Sequence, residues 1–400
     1  MRSRSVAVTA VLVVVALAAA ACGSGAAAPP DAAGTSAGAS AEEPLIPEPS
    51  DLPTTLPADV LAGEMQDLAK LAERLAQQLP AQRRPEPVRI AGSSSRWQPG
   101  AAYRGVFADP DIVRHQGRWY AYATNTSHLR LPTLTSRDLV TWTPLATRGG
   151  GRVDPIETAG WVRSGDGGRD LWAPGVDKVG DGWTAAYAAP AGTQGGQRHN
   201  CIGLTRGPSP AGPFRPVGEP ICYGEAQLGV IDPDVFVDEQ GVPWLLWKFS
   251  GVVNRRPAGL FIRRLNADGT GFADGSRTRE LLTLDRAWEG DTIENPSMVQ
   301  FRGVTYLFYS GNSWERADYA TGYAICAGPE GPCVRQNGGE PLLSTGSTGR
   351  LGPGGASAFI DHSSLRLIYH AWDQVGRTRQ LHIASLWQRD DGTLEVVDPG

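Results

Sequence analysis

The chain has 400 residues, 41% hydrophobic and 20% charged, which is enough apolar material for a sizeable core and excludes wholesale disorder. A formal charge of -5, with 34 Arg and only three Lys, argues against a nucleic-acid partner. Fifty Gly and 31 Pro suit helix interiors poorly, while 12 Trp, 10 Tyr and 9 Phe suit strands, so the composition predicts a mostly β protein.

The chain opens on an export signal. Arg2 and Arg4 precede an apolar run from Val6 to Ala21 that ends in small residues before Cys22. The run is shorter than the roughly 20 residues a spanning helix needs. Ala19-Ala20-Ala21-Cys22 resembles a bacterial lipobox, with Ala19 where Leu is usual. Residues 1–21 are therefore expected to be a lipoprotein signal peptide and Cys22 the lipidated residue. The mature chain would sit on the extracellular face of the cell membrane or be secreted, touching the membrane only through that anchor. Residues 22–57, rich in Ala, Gly, Ser and Pro, read as a disordered tether. Over 58–84, Leu61, Met65, Leu68, Ala72, Leu75 and Leu79 recur by fours and threes, one stripe of an amphipathic helix that Pro80 and Pro85 end. The helix would pack on the adjoining domain or pair with a second copy; a monomer is expected.

Beyond Cys22 there are four cysteines, an even number that in an oxidising compartment suggests two disulfides. The shortest loops pair Cys201 with Cys222 and Cys326 with Cys333. No CxxC pair or His cluster makes a zinc site, and no metal ligand set is assigned.

The decisive pattern is a repeat over residues 100–400. Five segments share a turn motif, a β run, a polar turn and an aromatic-rich β run. They begin at Ala108-DPDIV, Trp172-APGVD, Ile231-DPDVF, Glu294-NPSMV and Gly352-PGGAS. Pro110, Pro174, Pro233, Pro296 and Ala356 align at spacings of about 60, and further strand-like sequence follows each pair of runs. Five units of four strands predict a five-bladed β-propeller. In a propeller the first strand of each blade lines the central channel, so Asp109, Asp232 and Glu294 would converge at one end of the axis. Carboxylates that close raise at least one pKa and keep one group protonated as an acid. Spacing counts against the third: Asp109 and Asp232 stand one residue before the Pro and Glu294 two, and strand neighbours point to opposite faces. By the same parity, Asp111 and Asp234 share the face of Asp109 and Asp232.

The ordered set Phe107-ADPD, Ser136-RDLVTW, Trp172-AP, Ile231-DPDVF, Ile293-ENPSM with Tyr306-LFYSGN, and Gly352-PGGAS with Tyr369-HAWD resembles glycoside hydrolase family 43 over residues 103–398. The resemblance implies a five-bladed propeller that cuts arabinan- and xylan-type glycans, with Asp109 as general base, Glu294 as general acid and Asp232 as the residue that orients the acid and raises its pKa. It also implies that the Glu-x-Pro offset is normal. Inverting hydrolysis asks for such a pair, about 6.5–9.5 Å apart with room for the attacking water. Trp172 and His370 are candidate substrate contacts, and Trp142 reads as a packing residue. No cofactor is required. A channel Ca or Na ion, which the family often holds through a His, is placed in doubt by Gly355 at that position, and Gly175, where an acid is frequent, suggests altered substrate contacts. The expected activity is that of an exported, inverting glycosidase acting on a polysaccharide or oligosaccharide with α-L-arabinofuranosyl or β-D-xylosyl linkages. The chain stops after the fifth repeat, a form that resembles arabinan endo-hydrolases more than the longer xylosidases. The alternative is a non-catalytic sugar-binding propeller lipoprotein.

Overall fold

Each sequence repeat folds as one four-stranded antiparallel meander, and five such blades follow one another along the chain. The computed structural model describes residues 100–400 apart from 164–168, 195–196, 224–228, 253 and 399. The signal segment, Cys22, the tether and the 58–84 helix lie outside the described residues. The inner strands are Asp111–His115 in blade I, Trp172–Val179 in II, Val230–Val237 in III, Ile293–Phe301 in IV and Leu351–Asp361 in V. Each packs beside the inner strand of the next blade, and that of V returns to that of I. Among the described residues the only helical pieces are short turns at Ala287–Glu289, Asn337–Gly339 and Thr345–Thr348.

The core is a ring of layers between blades. One apolar cluster fills each of the five interfaces, from I–II round to V–I. A strand sandwiched between two blades is apolar on both faces and loses the alternation of a half-exposed strand. Pro243–Phe249 (PWLLWKF) and Val304–Gly311 (VTYLFYSG) are accordingly buried at every residue. Trp142 fills part of the V–I layer, its indole N–H donating to the Leu139 carbonyl at 3.1 Å.

Polar stitches run from blade to blade one residue beyond the aligned Pro. Asp111 accepts from the Val176 amide of blade II at 2.7 Å and from the Ser357 hydroxyl of blade V at 2.7 Å. Asp234 accepts from the Met298 amide of blade IV at 3.0 Å, and Ser297 from the Ala358 amide of blade V at 3.1 Å. In blade II the equivalent residue is Gly175, where a Cβ would lie 2.6 Å from the Pro233 carbonyl oxygen. Gly175 therefore serves close approach of blades II and III.

The ring is closed by the segment ahead of blade I. Tyr103 pairs with Leu381 on the third strand of blade V (3.4 and 3.1 Å), and the Phe107 amide donates to the Arg379 carbonyl at 2.9 Å. Both disulfides form with the expected pairing, Cys201–Cys222 and Cys326–Cys333, each joining paired neighbours on the third and fourth strands of one blade.

Candidate active site

One backbone feature builds the site. The residue before the aligned Pro, or before Ala356, takes a positive φ in every blade: Asp109 at 49°, Ala173 at 42°, Asp232 at 53°, Asn295 at 49° and Gly355 at 57°. Asp and Asn tolerate this left-handed region better than most side chains, and Gly does so freely. The ladder register slips at this point in blades II to V. The slip is a bulge, which breaks the strict alternation of the strand and re-aims its side chains. Glu294, one residue earlier, is thereby brought to the same end of the axis as Asp109 and Asp232, which removes the parity objection.

The three acids have unlike surroundings. Asp109 accepts from the Thr124 hydroxyl at 2.6 Å and the Asn295 amide at 3.4 Å, and its Oδ1 lies 3.2 Å from the Arg379 guanidinium. Burial acts to raise its pKa, but Arg379, His370 and the two hydrogen bonds outweigh burial and hold it below the usual carboxylate range. Asp232 is the reverse: burial and then the charge of Glu294 push it up to about 8, against the pull of Lys248. Its Oδ2 accepts from the Asn295 backbone amide at 3.2 Å. Asn295 thus bridges Asp109 and Asp232. Glu294 has both oxygens occupied, Oε2 by the Lys248 ammonium at 2.8 Å and Oε1 by the Tyr319 hydroxyl at 2.8 Å. The site holds one ionised carboxylate, Asp109, and, on the other side of Asn295, a carboxyl group, Asp232, that keeps its proton at neutral pH.

His370 is fully buried. Its Nδ1 accepts from the Asp109 backbone amide at 3.0 Å and its ring stacks on Tyr319 at 5.8 Å. Burial first, then Arg379, lowers its pKa to about 3, so it is neutral. The expected substrate contact is corrected to a support that fixes Asp109. Trp172 is half-buried and occupies in blade II the repeat position that Glu294 occupies in blade IV, which sets it at the same end of the axis. The glycines of blade V make room for these rings: a Cβ on Gly354 would lie 2.2 Å from the Tyr319 ring, and one on Gly355 2.6 Å from the His370 ring.

Sequence reasoning missed Lys248, Tyr319, Arg379, Thr124 and Asn295. For Lys248 a signal existed. It is one of three lysines in the chain and stands in the apolar run Trp244-LLWKF, where a buried ammonium demands a carboxylate partner.

The sequence pattern described as Glycosyl hydrolases family 43 matches residues 102–394. The chain belongs to this family. A thermostable family-43 glycoside hydrolase superposes with a TM-score of 0.62 at 25% identity, covering 74% of this chain and 94% of that one. An α-L-arabinanase from Cellvibrio cellulosa, solved with arabinohexaose, has a TM-score of 0.57 at 21% identity, covering 74% and 96%. A putative β-xylosidase of Xylanibacter ruminicola is 22% identical over 312 residues, 77% of this chain; the chain spans about half (53%) of that relative's length.

The position at which the resemblance places a channel His is Gly355. Position 355 carries no side chain, its φ is 57°, and the His370 ring fills the volume a side chain would need. His370 in turn spends Nδ1 on the Asp109 amide. These residues do not fit an ion held from position 355.

Proposed function

We propose that this family-43 protein hydrolyses glycosidic bonds of pentose-containing glycans with inversion, α-L-arabinofuranosyl linkages foremost and β-D-xylosyl linkages second. The observation that carries this is the gathering of three carboxylates around Asn295 in unlike surroundings: Asp109 against Thr124 and Arg379, Asp232 on the Asn295 amide, and Glu294 on Lys248 and Tyr319. Arg379 holds the first pKa down, while burial and Glu294 push that of Asp232 up. Asp109, as general base, takes a proton from the attacking water. The Asp232–Glu294 pair supplies a proton to the leaving oxygen through Glu294, whose carboxyl Lys248 and Tyr319 hold in place. A propeller that only bound sugar would leave these desolvated carboxylates without a use. The family match and the likeness to an arabinanase and a putative xylosidase support a pentose substrate.

The test is hydrolysis of aryl pentosides and debranched arabinan by the purified protein and by Glu294→Gln. The wild type is expected to release pentose of inverted configuration, seen by NMR immediately after cleavage. Glu294→Gln should lose about 10²–10⁴-fold in kcat on substrates whose leaving group needs protonation. A retained product, or a fully active variant, would refute the mechanism. We further propose that the enzyme works outside the cytoplasm on a lipid anchor at Cys22, a setting in which two disulfides persist.

A further inference from the structure

The site has an aromatic neighbour that the assigned residues do not include. Trp314 lies in the loop that follows Val304–Gly311, three residues beyond the Gly311 that pairs with Ile293, and is 39% exposed. Trp372 ends the second strand of blade V. The two indoles stack at 6.0 Å with an interplanar angle of 21°, and the Trp372 N–H donates to the Trp314 carbonyl at 2.9 Å. The Arg379 guanidinium lies 4.3 Å from the centre of the Trp314 ring and 3.2 Å from Asp109 Oδ1. A single guanidinium therefore separates an exposed indole from the carboxylate assigned as base.

We propose that Trp314, backed by Trp372 and Arg379, is a stacking platform for the pentose unit adjoining the one being cleaved. The inference rests on the hydrolase reading above. The C–H face of a furanose or pyranose ring matches a flat indole, and Trp, with an apolar body and one polar N–H, suits a surface that is part apolar and part wet. The ring contact, the cation on its face and the backbone hydrogen bond hold Trp314 in place before a sugar arrives, so little side-chain freedom is lost on binding. The supporting Trp372 and Arg379 come from blade V and the platform itself from blade IV, so the surface exists only once those two neighbouring blades have packed. An aryl pentoside has a single sugar and leaves the platform without its pentose; an oligosaccharide fills it.

The test compares kcat/KM on a linear pentose oligosaccharide with kcat/KM on the aryl pentoside of the same sugar, for wild type, Trp314→Ala and Trp314→Phe. The ratio of oligosaccharide to aryl pentoside is expected to fall about tenfold in Trp314→Ala, the size of one good aromatic contact. Trp314→Phe, which keeps an aromatic face, should recover most of it. An unchanged ratio overturns the proposal, including the case in which both substrates lose equally because Trp314 serves only to brace Arg379 against Asp109. If the wild type turns over neither substrate, the hydrolase reading fails by itself. The platform is then read by calorimetric titration of the same oligosaccharide: about tenfold weaker binding to Trp314→Ala supports it, and equal binding or none to the wild type overturns it.

Discussion

Lys248→Met isolates the charge that governs the acid half of the site. The Lys248 side chain is 7% exposed and that of Glu294 11%, with 2.8 Å between Nζ and Oε2. At an effective dielectric constant of 20, a pair at that distance attracts by about 6 kcal/mol. Desolvating the two ions costs several kcal/mol each, so the net worth of the pair is small. Removing one partner is a different matter, because it leaves a buried carboxylate uncompensated, and about 3–5 kcal/mol of stability is expected to go. For a domain of this size that is on the order of 10 °C in Tm. Lys248→Met/Glu294→Gln, which removes both charges, should restore more than half of the loss. The same cation lowers the pKa of Asp232, which stands at about 8 with Lys248 present. Activity that depends on the protonated pair falls as pH rises through that value. Without Lys248 the protonated form is favoured further, and the alkaline limb of kcat/KM moves to higher pH; a tenfold gain in proton affinity corresponds to about 1.4 kcal/mol. The assays are thermal unfolding at pH 7 and a pH–rate profile on an aryl pentoside. A variant with wild-type Tm and an unmoved alkaline limb would show that Lys248 is not coupled to the acid pair.

Two further outcomes are expected. Arg379→Gln removes the charge that, with His370, keeps Asp109 below its ordinary 3.8 against the opposing effect of burial. The acid limb of kcat/KM should move to higher pH, and an unmoved limb would count against Asp109 as the base. A carboxylate with a depressed pKa stabilises the fold above its unfolded value and loses that contribution as pH falls through the folded one. The gap in Tm between wild type and Arg379→Gln should therefore narrow as pH falls below about 4. For the anchor, Cys22→Ala expressed in a bacterium that lipidates such signals should shift the protein from the membrane pellet to the soluble exported fraction; equal partition of both forms would dismiss the lipid.

The propeller was legible because the Pro-centred turn recurs at near-constant spacing, and the acids because they sit in that turn. The alternation rule failed at Glu294 for the reason that makes the site. The left-handed residue at Asn295 and the register slip beside it redirect the chain at the point where chemistry is needed. Residues that act on the acids from elsewhere carried no such mark. Tyr319 and Arg379 come from a loop and a third strand and reach Glu294 and Asp109 across 25 and 270 positions. The first contact needs blade IV folded and the second needs the ring closed, and neither leaves a periodicity in the sequence. His370 misled for a related reason: its motif position is at the channel, but blade V places Gly355 against its ring and the backbone of Asp109 takes its nitrogen.

The clasp that closes the ring also sets a time order. Tyr103 and Phe107 leave the ribosome well over two hundred residues before their partners Leu381 and Arg379. Arg379 offers its carbonyl to Phe107 and its guanidinium to Asp109, two residues further on. Docking of the final blade thus delivers, in one event, the last backbone ladder and the cation that keeps the base charged. A nascent chain with four finished blades already carries Asp109, Asp232 and Glu294, yet Asp109 stays without its guanidinium partner until the fifth blade docks.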